Sequence, residues 1–161
     1  MDTAAQTEAP ARLRPEWLLF GVLAVGGALG AAGRYGVELL LPDQPGAFPL
    51  GTFLVNVVGC LVLGALAGTV YRADRRRLLF PFVGPGLLGG FTTFSTYTVQ
   101  TVTLALDGVV GTAAGYLLTT LVAGFVAVEA GLSLSRWLAH GRFHRRRVAQ
   151  PPGTVQGWTL R

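Results

Sequence analysis

The chain has 161 residues, 51% hydrophobic and only 13% charged, with 23 glycines and a mean hydropathy of +0.51. A charged share about half that of soluble domains, with apolar runs of about twenty residues, places the chain in a bilayer and excludes a soluble enzyme core. The glycines keep no three-residue period, which excludes a collagen, and the hydrophobic content excludes disorder.

Residues 1–15 form a polar segment bearing Arg12 and Arg14. The first apolar run, 17–41, is interrupted by Arg34. A cleaved leader is the alternative reading of this start, with small residues over 28–33, but the run exceeds the usual length of about 7 to 15 residues. Residues 42–49 are a proline- and glycine-bearing turn, and the second run, 50–70, carries no charge. Arg72, Arg75, Arg76 and Arg77 then face a single Asp74 in a short loop. The third run, 79–106, contains Pro81, Pro85 and the pair Gly89-Gly90, so a straight unbroken helix is not expected there. Asp107-Gly108 makes the next turn, and the fourth run, 109–138, holds Glu129. The basic tail 139–161 carries proline and is expected to be disordered.

The runs are continuous rather than alternating, which favours helices over the strands of an outer-membrane barrel. The expected fold is an all-α membrane protein: a four-helix transmembrane domain over 16–138, with its third helix broken, between the polar segment 1–15 and a cytoplasmic tail 139–161. Unwound backbone at membrane depth is tolerated only against protein or a polar cavity, so the break itself marks a candidate site.

All 13 basic residues are arginines, and the net charge is +5. They cluster where apolar runs stop rather than on an aromatic-interleaved face, so nucleic acid is not the expected partner. In a four-helix topology Arg12, Arg14, the four arginines of 72–77, Arg136, Arg142 and Arg145 to Arg147 share one side, and the opposite loops carry none. The positive-inside rule then puts both termini in the cytoplasm of a multi-pass protein that inserts one way.

No catalytic set is legible. His140 and His144 lie in the tail with no nearby cysteine or acid, a poor metal site, and the single Cys60 makes no internal disulfide. The informative groups are neutral hydrogen-bonding side chains in apolar surroundings: Asn56, then Thr92, Thr93, Ser95, Thr96, Thr98 and Gln100 after the Gly-Gly pair. They need partners in other helices or a wet path. Arg34, with no central carboxylate in the third run, favours an anion over a cation. Asn56 and the hydroxyls are donors for a small anion, and Phe91, Phe94 and Tyr97 offer positive ring edges. Phe91 and Phe94, three apart, are expected to share a face.

Gly27-Ala28-Leu29-Gly30-Ala31-Ala32-Gly33-Arg34-Tyr35, Gly51-Thr52-Phe53-Leu54-Val55-Asn56-Val57-Val58-Gly59 and Gly89-Gly90-Phe91-Thr92-Thr93-Phe94-Ser95-Thr96-Tyr97 together resemble the fluoride channel family called Fluc or CrcB, over about 18–135. The resemblance implies passive, fluoride-selective export by an antiparallel dimer of four-helix subunits in the cytoplasmic membrane, with two pores and a structural sodium ion at the dimer centre. By motif, Asn56 matches the pore asparagine, Phe94 and Tyr97 the aromatic positions beside the fluoride path, and Ser95 and Thr96 their hydroxyl neighbours. Gly89 and Thr92 would give backbone carbonyls to sodium, Arg34 matches the arginine of the first motif, and Tyr116 and Thr120 match the fourth-helix tyrosine and hydroxyl residue. Tyr97, Gln100 and Thr120 stand where the family more often has phenylalanine, an acid and serine. Many family members insert both ways and pair with themselves. The arginine bias of this chain instead implies a heterodimer with an oppositely oriented homologous subunit.

Two other classes compete. A small proton-coupled multidrug exporter would need Glu129 as its proton carrier. A membrane scaffold would use the polar third segment for assembly alone.

Overall fold

The computed structural model describes the backbone of residues 16–70 and 78–148 and the side chains of 16–68 and 78–138. The polar segment 1–15, the arginines of the 72–77 loop and the tail from 149 lie outside the described residues, as do the side chains of His140 and His144. The described residues are helical, with no strand among them. Helix α1 spans Glu16–Leu40, α2 Leu50–Val70, α3 Leu79–Pro81, α4 Gly89–Phe91, α5 Phe94–Leu106 and α6 Val110–Val148, with a π-helical stretch Phe82–Leu88 between α3 and α4. Among the described residues three stretches, Glu16–Leu40, Leu50–Gly68 and Val110–Leu138, are long and apolar enough to cross a membrane.

Local chemistry accounts for the ends. Helix α1 starts on an acidic residue that complements its dipole, and stops where Leu41 precedes Pro42, which disfavours helical backbone before it. The α5–α6 turn closes through Gly108 at φ +80°, a left-handed position. Its bonds run from Gly108 N–H to Ala105 O (3.1 Å) and from Val109 N–H to Leu104 O (3.0 Å). Pro85 lies inside the π-helical stretch. It has no N–H to donate, and its ring crowds the carbonyl of Pro81, so the backbone widens there instead of holding the α ladder.

One boundary differs from expectation. Helix α6 runs to Val148, ten residues past 138, where a disordered tail is expected. Alanine and arginine there are good helix formers, and the first proline beyond is Pro151.

Packing is backbone to backbone, and glycine makes it possible. α1 packs on the π-helical stretch and α4, and α2 packs on α6. A Cβ on Gly30 would sit 2.0 Å from Leu87 O, one on Gly90 2.2 Å from Gly27 O, and one on Gly64 2.2 Å from Val128 O. Small residues of this kind let helices in lipid approach closely enough for dispersion to hold them together. The buried cluster lies between α5 and α6: Tyr97, Leu104, Ala113 and Tyr116, with Phe48, Phe53 and Val109 against it.

Candidate functional site

The site is built on the interruption between α4 and α5. Thr92 (φ −74°, ψ 154°) and Thr93 (φ −144°, ψ 122°) are extended. Asn56 of α2 clasps this segment: Oδ1 accepts from the Thr93 N–H at 2.9 Å and Nδ2 donates to the Thr93 carbonyl at 3.0 Å. An amide in apolar surroundings is costly unless bonded, and here it takes up the Thr93 N–H, which the interruption has freed from the helix ladder, and adds a donor to the Thr93 carbonyl at the N-cap of α5. Thr93 also caps α5, its Oγ1 accepting from the Thr96 N–H at 3.2 Å and donating to Thr96 Oγ1 at 3.0 Å, with Ser95 Oγ 3.3 Å away.

These bonds release two carbonyls. In a continuous helix the Thr93 amide would donate to Gly89 O and the Thr96 amide to Thr92 O; they go to Asn56 and to the Thr93 hydroxyl instead. Gly89 and Thr92 therefore present carbonyl oxygens outside the helix ladder, a hard donor pair of the kind a small cation takes. On the other side of the interruption the N-terminus of α5 presents its positive end, which favours an anion.

A mostly apolar cleft of about 710 Å³ opens over this region. Its polar lining comes from Asn56, Thr92, Thr93 and Thr120, and its aromatic wall includes Phe94 and Tyr97. Thr120 is 6% exposed, and its Oγ1 has no hydrogen-bond partner among the described residues. Phe94 is 74% exposed, with its ring centroid 5.9 Å from that of Tyr97. Tyr97 is buried, and its hydroxyl donates to Leu117 O at 2.6 Å, so that proton is committed to α6 and is not offered to an ion. Behind it stands the fully buried Tyr116, edge-on at 5.2 Å, whose hydroxyl donates to Gln100 Oε1 at 2.8 Å.

The structure thus brings Asn56, Gly89, Thr92, Phe94, Tyr97 and Thr120 around one cleft. Ser95 and Thr96 join through Thr93, and Tyr116 through Tyr97. Arg34 stands apart: its Nε donates to Gly90 O at 3.5 Å, and Nη1 meets Glu38 Oε1 at 3.0 Å. A carboxylate so close offsets much of the field Arg34 would otherwise project. The expected shared face of Phe91 and Phe94 is corrected. Thr92 and Thr93 are extended between them, so helical spacing does not apply; Phe91 packs by Gly33 and Gly59, whereas Phe94 lines the cleft.

Three further participants were not anticipated. Thr52 is buried beside Tyr116. Its spacing of four from Asn56 on an apolar helix is a legible signal, as is that of Glu38 from Arg34. Asp43, which accepts from Gln100, has no such signal.

Apolar helices of spanning length, packed through glycine around a polar interruption, define a multi-pass membrane protein. The chain belongs to the CrcB family: the model described as CrcB-like protein, Camphor Resistance (CrcB), matches residues 21–132. Among its relatives is a protein of Paracoccus denitrificans called fluoride-specific ion channel FluC, 47% identical over 116 residues, which are 72% of this chain and 93% of the relative. A second, fluoride-specific ion channel FluC 2 of Nocardia farcinica, is 45% identical over 131 residues, 80% of this chain and 94% of the relative. A third, fluoride-specific ion channel FluC 2 of Streptomyces avermitilis, is 47% identical over 118 residues, 70% and 75% of the two chains.

Proposed function

We propose that this chain is a subunit of a fluoride-specific channel that lets fluoride leave the cell passively through the cytoplasmic membrane and so limits its toxicity. The observation that carries the reading is the Asn56 clasp on an interrupted segment, with hydroxyls, ring edges and the N-terminus of α5 gathered at one cleft, in a chain closely similar to proteins named for that activity. No nucleophile, acid–base pair or redox group is involved: the protein supplies a path, not a reaction.

Residues 79–106 serve as the third of four crossings and the broken one, and both termini are cytoplasmic, with 1–15 and 139–161 flanking the channel domain. Asn56, Phe94, Tyr97, Ser95, Thr96, Tyr116 and Thr120 border the fluoride path, and Arg34, its charge largely offset by Glu38, braces the Gly90 carbonyl beside it. Fluoride is small and strongly hydrated, so its passage requires donors that replace water; the α5 N-terminus, the amide of Asn56 and the Thr120 hydroxyl are placed to do so. Tyr97 contributes a ring edge rather than its hydroxyl. Gly89 and Thr92 would hold a structural sodium ion by their released carbonyls, and its charge would supply a tie between subunits.

The open cleft and the exposed apolar faces of α1, α2 and α6 suit a second subunit. That subunit is an inverted homologue, giving an antiparallel dimer with two pores. Eleven arginines on one side of the topology, against none in the opposite loops, keep this chain from supplying its own inverted copy, so the partner is a second chain of opposite bias.

Fluoride efflux from liposomes, read with a fluoride electrode, tests the proposal. The expected result is flux from this chain mixed with an oppositely biased homologue, little from either alone, exclusion of chloride, and suppression by Phe94→Ile. Robust flux from this chain alone would remove the heterodimer and keep the channel, whereas no flux from folded protein in any mixture would leave a scaffold. Glu129→Gln is expected to leave fluoride flux within about twofold of the parent, since the path uses no proton carrier. A proton-coupled exporter would lose all transport with that change.

A further inference from the structure

The cleft wall is tied to the loop between α1 and α2 by a chain of polar contacts that runs outside the cleft. Asp43 lies exposed in that loop and accepts a hydrogen bond from Gln100 Nε2 of α5. Gln100 Oε1 in turn accepts from the hydroxyl of Tyr116 on α6 at 2.8 Å. The ring of Tyr116, fully buried, stands edge-on to the ring of Tyr97 at 5.2 Å, and Tyr97 lines the cleft.

The direction of this chain is set at its outer end. An amide can present either its NH2 or its oxygen to a neighbour, and a phenol can donate or accept, so Gln100 and Tyr116 alone have two self-consistent arrangements. A carboxylate can only accept. With Asp43 beside it, Gln100 must turn its NH2 to the loop and its oxygen to Tyr116, and the Tyr116 hydroxyl must donate. That bond pins a side chain with no exposed surface, and the pinned ring supports Tyr97.

The geometry points to Asp43 as a positioning residue for the ion path: its carboxylate orients Gln100, which holds Tyr116, which in turn holds the Tyr97 ring against the cleft. The inference rests on the fluoride reading for its functional consequence and on the hydrogen bonds for its structural one. It also runs against the plain expectation for an acid beside an anion path. A bare negative charge slows anion entry, and its removal raises flux; removal of a positioning carboxylate lowers it.

The test compares fluoride flux through the reconstituted channel carrying the unsubstituted chain, Asp43→Ala or Asp43→Asn, each also in a Tyr116→Phe background. Asp43→Ala is expected to lower flux about tenfold, the scale of one charge-assisted hydrogen bond. Asp43→Asn, which keeps an acceptor without the charge, should recover part of that loss. In Tyr116→Phe, which has no hydroxyl to orient, neither change should have any further effect. Equal increases in flux for Asp43→Ala and Asp43→Asn, persisting with Tyr116→Phe and fading at high salt, would show a surface charge and overturn the proposal.

A second readout does not depend on flux. The 15N-labelled side-chain amide of Gln100, assigned by its loss in Gln100→Met, should shift and exchange its protons faster in Asp43→Ala. An unmoved amide signal would overturn the proposal even in a conducting channel. A moved signal in protein that carries no fluoride would uphold the contact network and sink the functional reading instead.

Discussion

Asn56→Asp is expected to reduce fluoride flux at least a hundredfold, which corresponds to about 2.7 kcal/mol at the barrier. The substitution is nearly isosteric, so the loss comes from chemistry rather than volume. One carboxylate oxygen can still accept from the Thr93 N–H, but the other now faces the Thr93 carbonyl that Asn56 Nδ2 satisfies at 3.0 Å. An acceptor is set against an acceptor, and a negative charge is brought to the place an anion must pass. Asn56→Ala separates the two effects: it adds no charge but strands the Thr93 N–H, at about 1–3 kcal/mol. Flux by fluoride electrode, with helix content by circular dichroism and size-exclusion profile as controls for folding, reads both. Flux near the parent level in folded Asn56→Asp would show that the clasp on Thr93 is dispensable.

Gly90→Ala should have the largest effect on assembly. Its new Cβ would lie 2.2 Å from Gly27 O and 2.9 Å from Gly27 Cα, backbone against backbone, with no flexible side chain to give way. Gly30→Ala meets the same obstruction at Leu87 O (2.0 Å) and Phe91 N (2.7 Å). Either change must push α1 away from the π-helical stretch and α4, which moves the floor beneath the interruption. Overpacking of this kind costs about 1–3 kcal/mol, and more where backbone must shift. The expected result is a lower thermal midpoint in detergent and loss of the monodisperse peak. Gly21→Ala and Gly111→Ala, where a Cβ would meet nothing within 4 Å, should behave as the parent. Parent-like stability for Gly90→Ala would mean that α1 is not held as closely as the structure places it.

The two substitutions differ in how far their effects could be foreseen from the chain alone. Asn56 stands out because an amide in a 21-residue apolar helix must find a partner, and the need is visible without knowing the partner. That its partner is the backbone of Thr93, 37 positions away, is a tertiary fact. Glycine's small size at Gly90 is legible, but the Gly27 carbonyl that makes it necessary is not. Tyr97 illustrates the same limit. Its hydroxyl could serve an ion or another helix, and the fold gives it to Leu117 O.

Hydropathy, helix ends and charge bias were readable because each depends on a local free energy. A run of apolar side chains partitions into lipid whatever its neighbours, a proline has no N–H to donate wherever it falls, and an arginine resists translocation on its own account. The widening over Phe82–Leu88 belongs to this class, since Pro85 weakens the ladder from within the segment. The direction of each polar contact belongs to the other class. The Asn56–Thr93 clasp, the Asp43–Gln100–Tyr116 chain and the pairing of Arg34 with the Gly90 carbonyl join separate helices. Each pair is chosen only when packing brings two helices within reach, because a hydrogen bond acts over about 3 Å and hydropathy carries no record of which faces will meet.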